Sequence, residues 1–124
     1  MTGQIVDALL DPATPTVLRR RLPRVLKASP TPRAVEGLVL ALSDARFEVR
    51  SQVGQALVAL TEKNPSLQVD GEAVFAAVRR ELAADAEWEG DAQTRAFEHV
   101  FALLSLVLER EPLKHSLWAV RGED

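Results

Sequence analysis

The feature that most constrains this chain is an internal repeat at an offset of 31 residues. Laid over itself at that offset, Leu18-Arg19 meets Val49-Arg50, Leu22 meets Val53, and Val25-Leu26 meets Ala56-Leu57. The segments just upstream end alike, in Leu9-Leu10-Asp11 and in Ala41-Leu42-Ser43-Asp44, with one residue of slippage. A unit of this length holds two helices and cannot bury its apolar face alone, so it folds by stacking on its neighbours. The expected architecture is all-α, a short α-solenoid of about three helix pairs.

Start and stop signals divide the chain accordingly. A first helix, Ile5 to Leu10, is closed by Asp11-Pro12. Thr14-Pro15 opens a second, with a capping hydroxyl before a proline in the first turn, and Ser29-Pro30 stops it. Thr31-Pro32 repeats that start for a third helix running to about Ser43. A fourth spans Phe47 to Lys63, a fifth runs from Asp70-Gly71 to Ala84, and a sixth from Asp91 to Arg110, with a short seventh after Pro112. Pro23 lies inside the second and removes one backbone bond, which bends it. Leu18, Leu22, Val25 and Leu26, then Val35, Leu38, Val39 and Leu42, then Val49, Val53, Ala56 and Leu57 follow the helical period. Phe75, Val78 and Leu82 continue it. Leu67-Gln68-Val69 is the one candidate strand, and it is too short to build a sheet. The chain reads as one domain, 1–124, with repeats at about 4–29 and 32–65 and a divergent 70–110 followed by a short C-terminal segment.

Ala41-Leu42-Ser43-Asp44, Glu48-Val49-Arg50, Ala56-Leu57 and Leu60 resemble the HEAT-repeat pattern, in which an Asp ends the turn between helices and Val-Arg opens the second helix. The resemblance covers about half the chain. It implies that Asp11, Arg19, Asp44 and Arg50 link neighbouring repeats. Arg19-Arg20-Arg21-Leu22-Pro23-Arg24-Val25-Leu26, Arg46-Phe47-Glu48-Val49-Arg50 and Glu98 to Leu108 also resemble HEAT-containing regions fused to bacterial transporters of the nucleotide-carrier type, which would make this chain a regulatory soluble appendage.

The absence of cysteine excludes disulfide frameworks, cysteine zinc sites, thiol nucleophiles and thiolate-held iron–sulfur clusters. His99 and His115, sixteen residues apart, have no partners to complete a metal set, and Glu111 with His115 supplies only two ligands. The acidic stretch Glu81, Asp85, Glu87, Glu89, Asp91 lacks the alternation and central glycine of an EF-hand loop and reads as a solvated connector. No phosphate-binding glycine loop or nucleophile elbow occurs. No residue is nominated for catalysis, metal binding or cofactor binding. The apolar run Val100 to Leu108 is about half of what a bilayer span needs, so no membrane insertion is expected. The N-terminus has no basic or long apolar region of a secretory signal, so a cytoplasmic location is expected.

A binding role remains. Arg20, Arg24 and Lys27 fall within roughly 60° on a helical wheel, opposite the apolar stripe, with Arg21 at its border. Such a row suits phosphates or an acidic protein surface, against the alternative of an ordinary solvated face. Trp88, an aromatic flanked by carboxylates, is the second candidate contact, or else folds back onto the core. Phe97, Val100, Phe101, Leu104, Val107 and Leu108, with Leu103 and Leu106 beside them, make the sixth helix apolar nearly all round. It calls for cover from Leu117 and Trp118 or for self-association through the C-terminal helices. The charge, −3 overall and more acidic in the second half, does not by itself point to nucleic acid. The expected function is a non-catalytic protein-binding or scaffolding module with a partner site on a concave face. A nucleic-acid-binding HEAT-like protein and the transporter appendage are the alternatives.

Overall fold

A computed structural model describes residues 2–83 and 90–108. It is all-helical over these residues, in the order α1 (Thr2–Leu10), α2 (Thr16–Arg19), α3 (Leu22–Leu26), α4 (Pro32–Ala41), α5 (Phe47–Lys63), α6 (Gly71–Ala83) and α7 (Asp91–Leu108). Trp88, the histidine at 115 and the C-terminal segment carrying Leu117 and Trp118 lie outside the described residues.

Local chemistry sets the helix ends. The Thr31 hydroxyl accepts a hydrogen bond from the Ala34 amide at 3.2 Å, and Pro32 follows it, so α4 begins where the sequence signals place it. Asp70 Oδ1 accepts from the amides of Glu72 and Ala73 at the start of α6. Asn64 closes α5 by donating both its backbone and side-chain N–H groups to the Leu60 carbonyl. Gly90, at φ 57°, adopts the left-handed conformation that leads into α7.

The expected second helix is two helices. Pro23 has no N–H to bond the Arg19 carbonyl, and the chain breaks after Arg19 and restarts at Leu22, with Arg21 donating to the Leu18 carbonyl at 2.9 Å across the break. Thr14 does not cap this segment. Pro15 is the N-cap without a side-chain bond, and the Thr14 carbonyl accepts from Arg19 instead.

Two rows of helices result. In one, α4 lies between α1 and α6; in the other, α5 lies between α3 and α7, with α1 against α3, α4 against α5 and α6 against α7 joining the rows. Between them sits one continuous core, built on Val6, Leu9, Leu26, Leu38, Leu42, Val49, Val53, Leu57, Leu60, Val74 and Leu103. The stripes expected on α4 and α5 face inward. In the α2–α3 segment Leu26 is buried but Leu18 and Val25 are half exposed, while Arg19 and Pro23 turn in. On α6 the inward row is Val74, Ala77, Val78 and Glu81, leaving Phe75 and Leu82 outside. On α7 it is Ala96, His99, Val100, Leu103, Leu106 and Val107, leaving Phe97, Phe101 and Leu108 outside. In each case the inward row includes a charged or polar residue that an apolar count assigns to the surface.

Helices α1 and α4 meet at a point of close approach. A Cβ on Gly37 of α4 would lie 2.5 Å from Cγ1 and 2.7 Å from Cγ2 of Val6, a side chain held in one rotamer by its branching. Gly37→Ala is therefore expected to destabilise the protein by about 1–3 kcal/mol in urea unfolding, because α1 must move away from α4. Gly3→Ala on α1, where a Cβ meets nothing within 4 Å, serves as the control and leaves stability unchanged or slightly raised.

Candidate functional site

The site is built around α5. On its inner side a chain of buried charge crosses the rows. Arg19, 9% exposed, donates Nε–H to the Thr14 carbonyl at 2.9 Å and pairs through Nη1 with Asp44 Oδ2. Asp44 uses Oδ1 to accept from the Arg46 amide at 2.8 Å, which orders the turn into α5, and its carbonyl accepts from Arg50 Nη1 at 2.8 Å. Arg50 in turn holds Glu81 of α6 with both arms, Nε to Oε2 at 2.7 Å and Nη2 to Oε1 at 3.4 Å. Finally, Glu81 Oε2 stands 3.2 Å from Nε2 of His99 on α7. The Phe47 ring packs edge-on against His99 and lies under the Arg50 guanidinium, both at 5.5 Å.

This arrangement links three of the four residues for which the HEAT resemblance implies linking roles. Arg19 reaches Asp44 in the turn before α5, and Arg50 reaches Glu81 of α6, 31 positions on. Asp11 instead accepts a hydrogen bond from the Ala13 amide at 2.8 Å and shapes its own turn.

On the outer side of α5 lies an open cleft of about 750 Å³. One wall is the α2–α3 segment, with Arg20, Arg21 and Arg24; the other is α7, with Arg95, Glu98, His99 and Ala102. Phe47, Glu48, Ser51, Gln52 and Gln55 of α5 lie between them. Two members of the basic row read from sequence, Arg20 and Arg24, thus share this cleft. Lys27 is exposed but is not among its lining residues. Arg21 and Arg95 join the row, and neither was selected by sequence reasoning. Arg21 seemed to border the apolar stripe of an unbroken helix, and Arg95 lies 71 residues from Arg24, with no sequence signal to pair them.

His99 is 4% exposed, and neither of its ring nitrogens makes a hydrogen bond of good geometry. Gly54 gives it room, since a Cβ there would come within 3.1 Å of the ring. Burial pushes the Glu81 carboxyl upward in pKa. The contact with His99 and the hydrogen bonds and charge of Arg50 outweigh that, and hold it below the ordinary glutamate value. The folded state therefore binds this proton less tightly than the unfolded chain. The stabilisation is present in full above the ordinary glutamate range and is lost as pH falls through the lowered folded value.

Glu81→Gln is accordingly expected to cost about 2–3 kcal/mol at neutral pH, since it leaves the largely buried Arg50 guanidinium without its counter-charge. Urea unfolding of the two proteins along a descending pH series should show the gap closing on the acid side. Parallel curves would mean that the Glu81 charge does not hold the units together.

No family model, curated protein or solved structure matches the chain.

Proposed function

We propose that this chain is a non-catalytic, HEAT-like binding module. Three helix pairs, α1 with α2–α3, α4 with α5 and α6 with α7, stack as a short solenoid, and the module engages a partner protein through the cleft of the second row. The observation that carries this reading is the cleft itself. It crosses all three units, is lined by four arginines, and backs onto a frame whose own charges are paired internally. A surface of that kind recognises by shape and charge, and requires no covalent step.

The two rows of helices and the placement of Arg19 and Arg50, 31 residues apart with each bonded toward the following unit, support the repeat assignment. Nucleic acid is the less favoured occupant, because Glu48 and Glu98 lie in the same cleft and would oppose a phosphate backbone.

Selection of a random-peptide display library on the immobilised protein tests the reading. Enriched peptides are expected to bind the wild type and to lose at least about tenfold in affinity for Arg20→Glu/Arg24→Glu. Binding that maps elsewhere, or a library that yields no binder, would show that the cleft is not a protein-recognition surface.

A further inference from the structure

We propose, on the basis of the binding-module reading, that the cleft takes an acidic segment of a partner protein, in which separated carboxylates are met by arginines on opposite walls and a non-acidic stretch lies over α5. Four observations lead to this chemistry.

First, Arg20, Arg21, Arg24 and Arg95 are all exposed and without an ion pair among the described residues, a state they share with Arg46, Arg79 and Arg80, but these four are gathered in one cleft. Three of the four stand within five residues of chain, so their charges repel one another until an anion arrives. Arginine in such a group presents planar forks that bind carboxylates bidentately.

Second, the arginines belong to two walls. Arg20, Arg21 and Arg24 come from the α2–α3 segment and Arg95 from α7, with α5 between them. A segment carrying two carboxylates supplies one to each wall.

Third, beside Phe47 and Glu48, α5 brings three neutral hydrogen-bonding side chains into the cleft, Ser51, Gln52 and Gln55, which suit the N–H and C=O groups of a peptide backbone. His99 adds a buried polar ring on the α7 wall whose nitrogens lack a well-formed hydrogen bond.

Fourth, Glu48 and Glu98 set an upper limit on negative charge. A duplex, with one charge per roughly 1.7 Å of axis, must bring phosphates onto them, whereas a peptide places neutral residues there. Like-charge contacts of this kind reject a wrong partner more strongly than they weaken a right one.

The composition of the enriched display pool is the test. Peptides selected on the wild type are expected to be enriched in Asp and Glu at two or more positions separated by non-acidic residues. Arg95→Glu and Arg20→Glu/Arg24→Glu should each weaken a labelled peptide from that pool by at least about tenfold in fluorescence anisotropy, and Arg95→Lys by less, since it keeps charge but loses the fork. Selection on the triple reversal should turn the enriched positions to Lys and Arg. All substituted side chains are exposed, and an unchanged thermal melt establishes that each variant is folded. A pool that maps to the cleft without acidic enrichment would overturn this proposal and leave the binding-module reading standing; no binder at all would overturn both. Tighter binding of duplex DNA than of the selected peptide, lost in the same variants, would also overturn it.

Discussion

The buried charge relay from Arg19 through Asp44, Arg50 and Glu81 to His99 is the constraint on which the arrangement of the helices depends. It draws on α2, the turn before α5, α5 itself, α6 and α7, so one connected set of polar contacts spans elements that apolar packing alone would let slide. Each member would be costly to bury alone, and the cost is offset only because the partners arrive together and the arms of Arg50 are divided between the Asp44 carbonyl and the Glu81 carboxylate. The apolar core between the rows supplies most of the stabilising free energy, and the relay adds directional contacts between α2, α5, α6 and α7 that apolar packing lacks.

This division explains what could be read from the sequence. The cap at Thr31, the helix start at Asp70-Gly71 and the stripes of α4 and α5 were legible because they depend on local chemistry and on apolar residues alone. The α2–α3 segment, α6 and α7 were each assigned an inward face rotated from the true one. In all three the inward row contains a residue that hydropathy places outside: Arg19, Glu81 or His99. Burying Arg19 against Asp44 turns Leu18 to solvent, and its repeat equivalent Val49 stays fully buried because α5 has helices on both sides and α2 does not. A polar residue is admitted to the core only by its partner, and the partners here lie 25, 31 and 18 residues apart, beyond the range of any periodicity.

The same helix that carries the relay positions the cleft. Along α5, Val49, Val53 and Leu57 enter the core while Glu48, Ser51, Gln52 and Gln55 look toward the cleft, and Phe47 and Arg50 stand at the boundary between the two. Phe47 touches both the relay and the cleft, packing on His99 and under Arg50. The separation of the arginine walls is therefore set by interactions inside the frame. On the proposed binding reading, walls spaced in advance by the frame would lower the ordering cost of taking up a ligand.

The run Arg19-Arg20-Arg21 shows how little residue type alone decides here. Three identical side chains follow one another in the sequence, yet the first lies inside and paired with Asp44, while the next two stand on the cleft wall with no ion pair among the described residues. Successive residues of a helix point about 100° apart, so one position in such a run can enter the core only if its neighbours leave it. Arg24, four residues on from Arg20, stands on the same cleft wall as Arg20 and Arg21, where the helical period also places it. The rotation that buries Arg19 thus turns Arg20, Arg21 and Arg24 away from the core together, and one short segment holds a structural arginine and three cleft arginines.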